Sequence, residues 1–140
     1  METKKILFGG ITGGIAYFFL GWLIYGILLN NFTMTNYNQA AARPMEEMIW
    51  WSMILANFAA GFLLSVIFNW SNTNGLLSGA KIGGIIGFIL AISMDFSIYS
   101  MSTTFLNLTA VFVDIIAYGL MTAIAGALVA WVMGLLKEKA

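Results

Sequence analysis

The chain contains no cysteine, no histidine, a single proline and few charges. Without cysteine there is no disulfide, no thiol nucleophile, no thiolate-bound zinc and no iron–sulfur cluster. Without histidine the commonest general acid–base side chain and the usual axial ligand of haem are missing too. Six basic and six acidic residues among 140 make 9% charged residues and a net charge of zero. A soluble domain carries about 25%. So few charges do not cover a water-facing surface, and no segment is basic enough for nucleic acid. What fills the chain is apolar: 61% of its residues belong to the hydrophobic set. The composition is that of one small integral membrane domain, with the lipid bilayer as its first partner.

A hydrocarbon core of about 30 Å takes roughly 20 apolar residues of helix. Four segments qualify. Ile6–Leu29 and Met48–Trp70 carry no charge, Ile82–Ser102 carries only Asp95, and Leu108–Leu136 carries only Asp114. The prediction is an all-α, four-helix transmembrane bundle over residues 1–140. A cleaved signal peptide fits the first segment badly, because a signal core spans only about 7–15 apolar residues. In a four-span chain Lys4, Lys5, Lys81, Lys137 and Lys139 share one side, against Arg43 alone on the other. The positive-inside bias then places both termini in the cytoplasm. Trp50 and Trp51 at one end and Trp70 and Trp131 at the other suit the two interfaces. Pro44, followed by Glu46 and Glu47, reads as the start of the second helix. The connections Asn30–Arg43 and Ser71–Ala80 read as short polar loops. Asn31-Phe32-Thr33 and Asn107-Leu108-Thr109 match the glycosylation triplet, a pattern common by chance.

Small residues recur at helical spacing. Gly9 and Gly13 flank Gly10 and Gly14 in the first span, and Gly75, Gly79, Gly83 and Gly87 lie four apart at the third. Span four adds Gly119, Ala123 and Ala127, with Gly126, Ala130 and Gly134. In lipid such stripes let backbones approach until dispersion holds the pair. They serve packing inside one bundle or a homo-oligomer, for which a dimer is the simplest form. A shift of 74 lays Gly9-Gly10-Ile11 on Gly83-Gly84-Ile85 and Gly13 on Gly87, which suggests a parallel 2+2 repeat. The same shift puts Gly21 opposite Asp95.

The two aspartates are the most informative residues, because an ionisable group inside a span is costly and marks a functional site by default. Asp95 lies 14 residues past Lys81 and Asp114 six residues past Leu108. At 1.5 Å per residue these are depths of about 21 Å and about 9 Å from opposite faces. The two heights agree, and a short connection makes spans three and four neighbours. No lysine, arginine or histidine lies deep in a span to neutralise them. Three states are open: protonation of each, one proton shared by the pair, or a bound cation. Oxygen-bearing neighbours at similar depth are Ser52, Asn57, Ser97, Tyr25 and Tyr118, the last one turn from Asp114 on the same face. The first reading of the pair is structural, a protonated aspartic acid acting as polar glue between helices or a carboxylate reaching headgroup water, and a proton or cation path comes second.

Nine methionines and 21 aromatics read as packing and lipid contact, and no cofactor is expected. No nucleophile with a nearby base, metal motif or phosphate loop is visible, so no enzyme is expected. The sequence is read as a small structural or accessory membrane module, with a proton- or cation-linked transporter or channel using the aspartates as the alternative.

The series Gly13-x-x-x-Tyr17-x-x-x-Gly21-Trp22-x-x-Tyr25-Gly26-x-Leu28 resembles the first span of a family of small bacterial four-span membrane proteins known as a domain of unknown function. Asp114-Ile115-Ile116-Ala117-Tyr118 is similar to the last span of that family. Ile24 stands where the pattern has an aromatic residue. The resemblance implies the four-span architecture and a bacterial inner membrane, and it implies no activity.

Overall fold

Long apolar runs free of proline leave the helix as the one way to satisfy a backbone in lipid. The computed structural model describes residues 2–139, with side chains as far as Leu136; those of Lys137 and Lys139 lie outside the described residues. Helix α1 covers Glu2–Gly21 and passes into a π-helical segment, Trp22–Leu28. Helix α2 is Asn30–Asn36, α3 is Trp50–Ser71, α4 is Leu76–Met101 and α5 is Leu108–Lys139. Four stretches, Glu2–Leu28, Trp50–Ser71, Leu76–Met101 and Leu108–Leu136, are long and apolar enough to cross a membrane. The expected all-α four-helix bundle is the observed one. Large apolar side chains stay exposed along every span, as lipid-facing surfaces require.

Helix α4 packs on α5, α1 packs on α3, and α1 bridges to α5. The order across the bundle is therefore α3, α1, α5, α4. The end carrying Lys4, Lys5 and Lys81 is called here the basic end. The opposite end is covered by residues 30–49 and is called the capped end.

Glycine sets both main contacts. A Cβ at Gly13 would stand 2.6 Å from the Gly61 Cα, and one at Gly9 would stand 2.6 Å from the Ser65 hydroxyl. A Cβ at Gly83 would stand 2.8 Å from the Thr122 carbonyl oxygen, one at Gly79 2.5 Å from the Ala130 methyl, and one at Gly87 2.5 Å from the Thr122 Cβ. Gly126 faces both Gly79 and Gly83, whereas Gly134 only borders Asn74 at ordinary contact distance. The stripes of Gly9, Gly13, Gly79, Gly83, Gly87 and Gly126 are thus spent inside one chain, where no side chain larger than hydrogen fits. The two hairpins share one packing scheme, with Gly13 over Gly61 and Gly83 over Gly126. That makes Gly83 the counterpart of Gly13, a shift of 70 and not 74, because glycines four apart align equally well one turn over.

Three expectations about helix ends need correction. Pro44 opens only a 3-10 turn, Met45–Glu47; Met48 is extended, and α3 begins at Trp50. Helix α4 begins at Leu76, so Lys81 lies within it, and the turn before it uses Asn72 at φ 56 and Gly75 at φ 107. The first connection is not merely a polar loop. Besides α2 it holds a 3-10 turn, Gln39–Ala41, and is strapped to the α4–α5 connection by an isolated bridge between Tyr37 and Phe105. Asn38 N donates to the Thr104 carbonyl at 2.8 Å, and Leu106 N donates to the Asn36 carbonyl at 3.0 Å. The Asn107 side chain accepts from Ala110 N at 2.9 Å as the cap of α5 and donates to Asn36 at 2.9 Å. A side chain so engaged suits a helix cap, not a glycan.

Gly83→Ala pushes a methyl group onto backbone and is expected to destabilise the protein by about 1–3 kcal/mol. At Gly21 an added Cβ meets nothing within 4 Å, so Gly21→Ala is expected to be neutral or to stabilise by up to about 1 kcal/mol. Thermal unfolding of the two variants in detergent, followed by circular dichroism, checks both.

Candidate functional site

The zipper of α4 and α5 carries the site. Each step of four along α4, Gly79, Gly83 and Gly87, is matched by a step of four back along α5, Ala130, Gly126 and Thr122. Two further steps bring Ala91 opposite Tyr118 and Asp95 opposite Asp114. The structure places the two carboxyl groups within hydrogen-bonding reach of each other. Such a bond forms only when one of them carries a proton.

Asp95 is 7% exposed, and its Oδ2 is buried with no hydrogen-bond partner among the described residues. Asp114 is half-buried and accepts a 2.8 Å hydrogen bond from the Tyr37 hydroxyl. The Tyr25 hydroxyl is a second hydrogen-bond neighbour of Asp114. Along α5 from Asp114 follow Tyr118, one turn on at i+4, and Thr122, one turn on from Tyr118. Tyr17 from α1 donates to the Thr122 hydroxyl at 2.9 Å and stacks on Tyr118 with ring centroids 6.4 Å apart. Four phenols, one hydroxyl and two carboxyls so form a polar column in an apolar bundle. Among the described residues, no basic side chain acts on Asp95.

The π segment explains why Tyr25 belongs to it. In an unbroken α-helix the eight residues from Tyr17 turn through about 800°, roughly 80° beyond two full turns. The wider π turn, with Leu29 N donating to the Ile24 carbonyl five residues back at 2.8 Å, removes most of that excess. Tyr25 returns to the face of Tyr17. Tyr37 reaches Asp114 from outside the spans, through the cap. Its burial first, and then its bond to Asp114, hold its phenol above the usual tyrosine range. It therefore stays a donor at physiological pH.

The sequence candidates divide. Asp95, Asp114, Tyr118 and Tyr25 come together. Ser52 and Ser97 are exposed on the bundle surface, outside the column. Asn57 donates to the Met53 carbonyl at 3.0 Å and lines a cleft between α1 and α3 that borders the column at Tyr17, Tyr25 and Tyr118. Tyr17, Thr122 and Tyr37 are additions. Tyr17 was legible as the next step of the Gly9–Gly13 stripe, and Thr122 as the next step of Asp114–Tyr118. Nothing local marks Tyr37. The described residues include no group of three or more acidic side chains able to hold a metal ion.

A phenol kept protonated by the fold contributes stability that is present below the unfolded tyrosine value, about pH 10, and is lost as pH rises above it. Tyr37→Phe is expected to cost about 1–2 kcal/mol at pH 7 through the lost charge-assisted bond. The gap between wild type and variant is expected to narrow above about pH 10. Thermal melts in detergent across that range test the sign. No protein-family model, curated protein or solved structure matches the chain, and its function is argued from this geometry.

Proposed function

We propose that the protein is a proton- or cation-linked carrier of the membrane, not an enzyme, with the Asp95–Asp114 pair as its exchange site. The observation that carries this reading is the buried Oδ2 of Asp95, without a partner among the described residues and beside a second carboxyl. Two carboxylates this close in apolar surroundings do not both keep their charge. The pair holds one proton, or a cation takes its place. A static accessory module is the first reading of the sequence, with the carboxyls as glue. Glue would have both carboxyls bonded across helices. Asp114 is so bonded, by the Tyr37 hydroxyl of the cap, whereas Asp95 Oδ2 has no partner among the described residues.

With both termini in the cytoplasm of a bacterium, as the lysines imply, the pair lies in the outer half of the inner membrane, and Tyr37 closes it from the outside. Opening of the strapped cap would expose it to that side. The reading does not call for a homodimer, since the glycine stripes are occupied within the chain.

Proton and sodium flux into proteoliposomes tests the reading. The native chain is expected to conduct or exchange above empty liposomes. Asp95→Asn and Asp114→Asn are each expected to fall to the empty level, while their melting temperatures in detergent stay within a few degrees of wild type. Flux that survives the double substitution overturns the assignment. So does an absence of flux from native chain that is folded and oriented in the vesicle.

A further inference from the structure

A cleft of about 570 Å³ opens between the capped halves of α1 and α3 and is closed below by α5. This volume falls within the range of small-molecule sites, about 300–1,000 Å³. Its existence follows from local sequence. The hairpin is drawn tight at Gly13 and Gly61, but toward the cap α1 gives way to the π segment. Gly21 and Gly26 line the cleft without filling it, and at Gly21 an added Cβ meets nothing within 4 Å. The aromatic walls include Trp22 and Trp50, which are 61% and 48% exposed at the edge of the bundle. The methionines Met45, Met48, Met53 and Met121 supply adaptable apolar contact. The floor is Tyr25 and Tyr118.

That floor connects the cleft to the acid pair. The Tyr25 hydroxyl is a hydrogen-bond neighbour of Asp114, and Tyr118 lies within electrostatic range of both aspartates. The charges nearest the cleft's polar end are thus acidic and lack a basic partner. Indole and phenol faces attract cations, most strongly where water is excluded. An apolar mouth between two lipid-facing helices admits molecules that already partition into the bilayer. We infer that this cleft binds a lipophilic organic cation, a positive charge carried on aromatic or alkyl groups, entered from the lipid and held over Tyr25 beside Asp114. The inference rests on the exchange site proposed above and names its substrate class: the cation takes the place of the proton, and one proton leaves for each cation bound. The titratable groups facing the pair are Tyr25 from the π segment, Tyr37 from the cap and Tyr118 from α5. The released proton is assigned to the carboxyl pair.

The probe is tetraphenylphosphonium, and the control is tetraphenylborate, which has nearly the same shape and the opposite charge. Titration calorimetry on the full chain in detergent, in two buffers of different ionisation enthalpy, gives affinity and proton release together. The phosphonium is expected to bind with release of about one proton, and the borate at least about tenfold more weakly, a difference of about 1.4 kcal/mol. Gly21→Leu fills the cleft where the backbone is ordinary helix and is expected to weaken phosphonium binding by about tenfold or more without lowering the melting temperature. Asp114→Asn is expected to abolish the proton release. Equal binding of the two ions, or an unchanged affinity in Gly21→Leu, overturns the inference. If phosphonium fails to bind while aspartate-dependent proton flux persists, the substrate class falls and the exchange site stands. If phosphonium binds in the cleft without releasing a proton, the exchange site falls and the cation cleft stands.

Discussion

The close approach of α4 and α5 is the constraint on which the rest of this structure depends. In lipid no hydrophobic force drives one helix onto another, so contact must come from packing. Gly79, Gly83 and Gly87 remove the side chains that would hold the backbones apart. Because they lie four residues apart, they also fix which residues face one another, and that register continues past the last glycine to Ala91 with Tyr118 and to Asp95 with Asp114. A slip of one residue would rotate one carboxyl by about 100° away from the other. The acid pair is thus not gathered by its own attraction, since two carboxylates repel and only a captured proton joins them. It is imposed by a packing stripe two turns away, and the cost of gathering two carboxyls is offset by the contact of glycine backbones.

The imposed pair then dictates its surroundings. Asp114 must be offered donors, and every donor near it is a phenol. Tyrosine suits the role, since its ring is apolar enough for a span and its hydroxyl donates without carrying charge. Two phenols serve it, Tyr25 from the π segment and Tyr37 from the cap, while Tyr118 of α5 lies within electrostatic range and bonds with Thr122 and Tyr17. Asp95 is reached by none of them at Oδ2. One carboxyl is therefore served by fixed donors, and the other keeps one oxygen without a partner among the described residues. The proposed exchange draws on that division, because a fully bonded pair would have nothing to release.

Much of this was legible in the sequence. Four runs of hydrophobicity set the spans, and depth counted from Lys81 and Leu108 put the aspartates at one height. Glycine spacing marked the contact faces. What stayed hidden had physical causes. Pro44 reads as a helix start, yet Met48 is extended, and the helix waits for Trp50. The π segment has no pattern of its own, so the return of Tyr25 to the buried face cannot be seen at 100° per residue. Tyr37 sits in a polar run and owes its place to the strap formed with Phe105, a contact between residues 68 apart in the chain. Ser52 and Ser97 were chosen by depth alone, and depth does not say which way a helix face points.

The two hairpins are alike in packing and differ in chemistry. They share a packing scheme in which Gly13 over Gly61 corresponds to Gly83 over Gly126. The same register sets Tyr25 of the first hairpin against Asp95 of the second. One hairpin thus presents a neutral donor where the other presents an acid. Since α1 lies against α5, the donor of the first faces the acceptors of the second across the middle of the bundle. The π segment belongs to the donor hairpin only. It both turns Tyr25 inward and parts α1 from α3 to leave the cleft. A single local departure from the α-helix therefore links the apolar opening toward lipid with the acid pair behind it, and a regular helix at the same place would have provided neither.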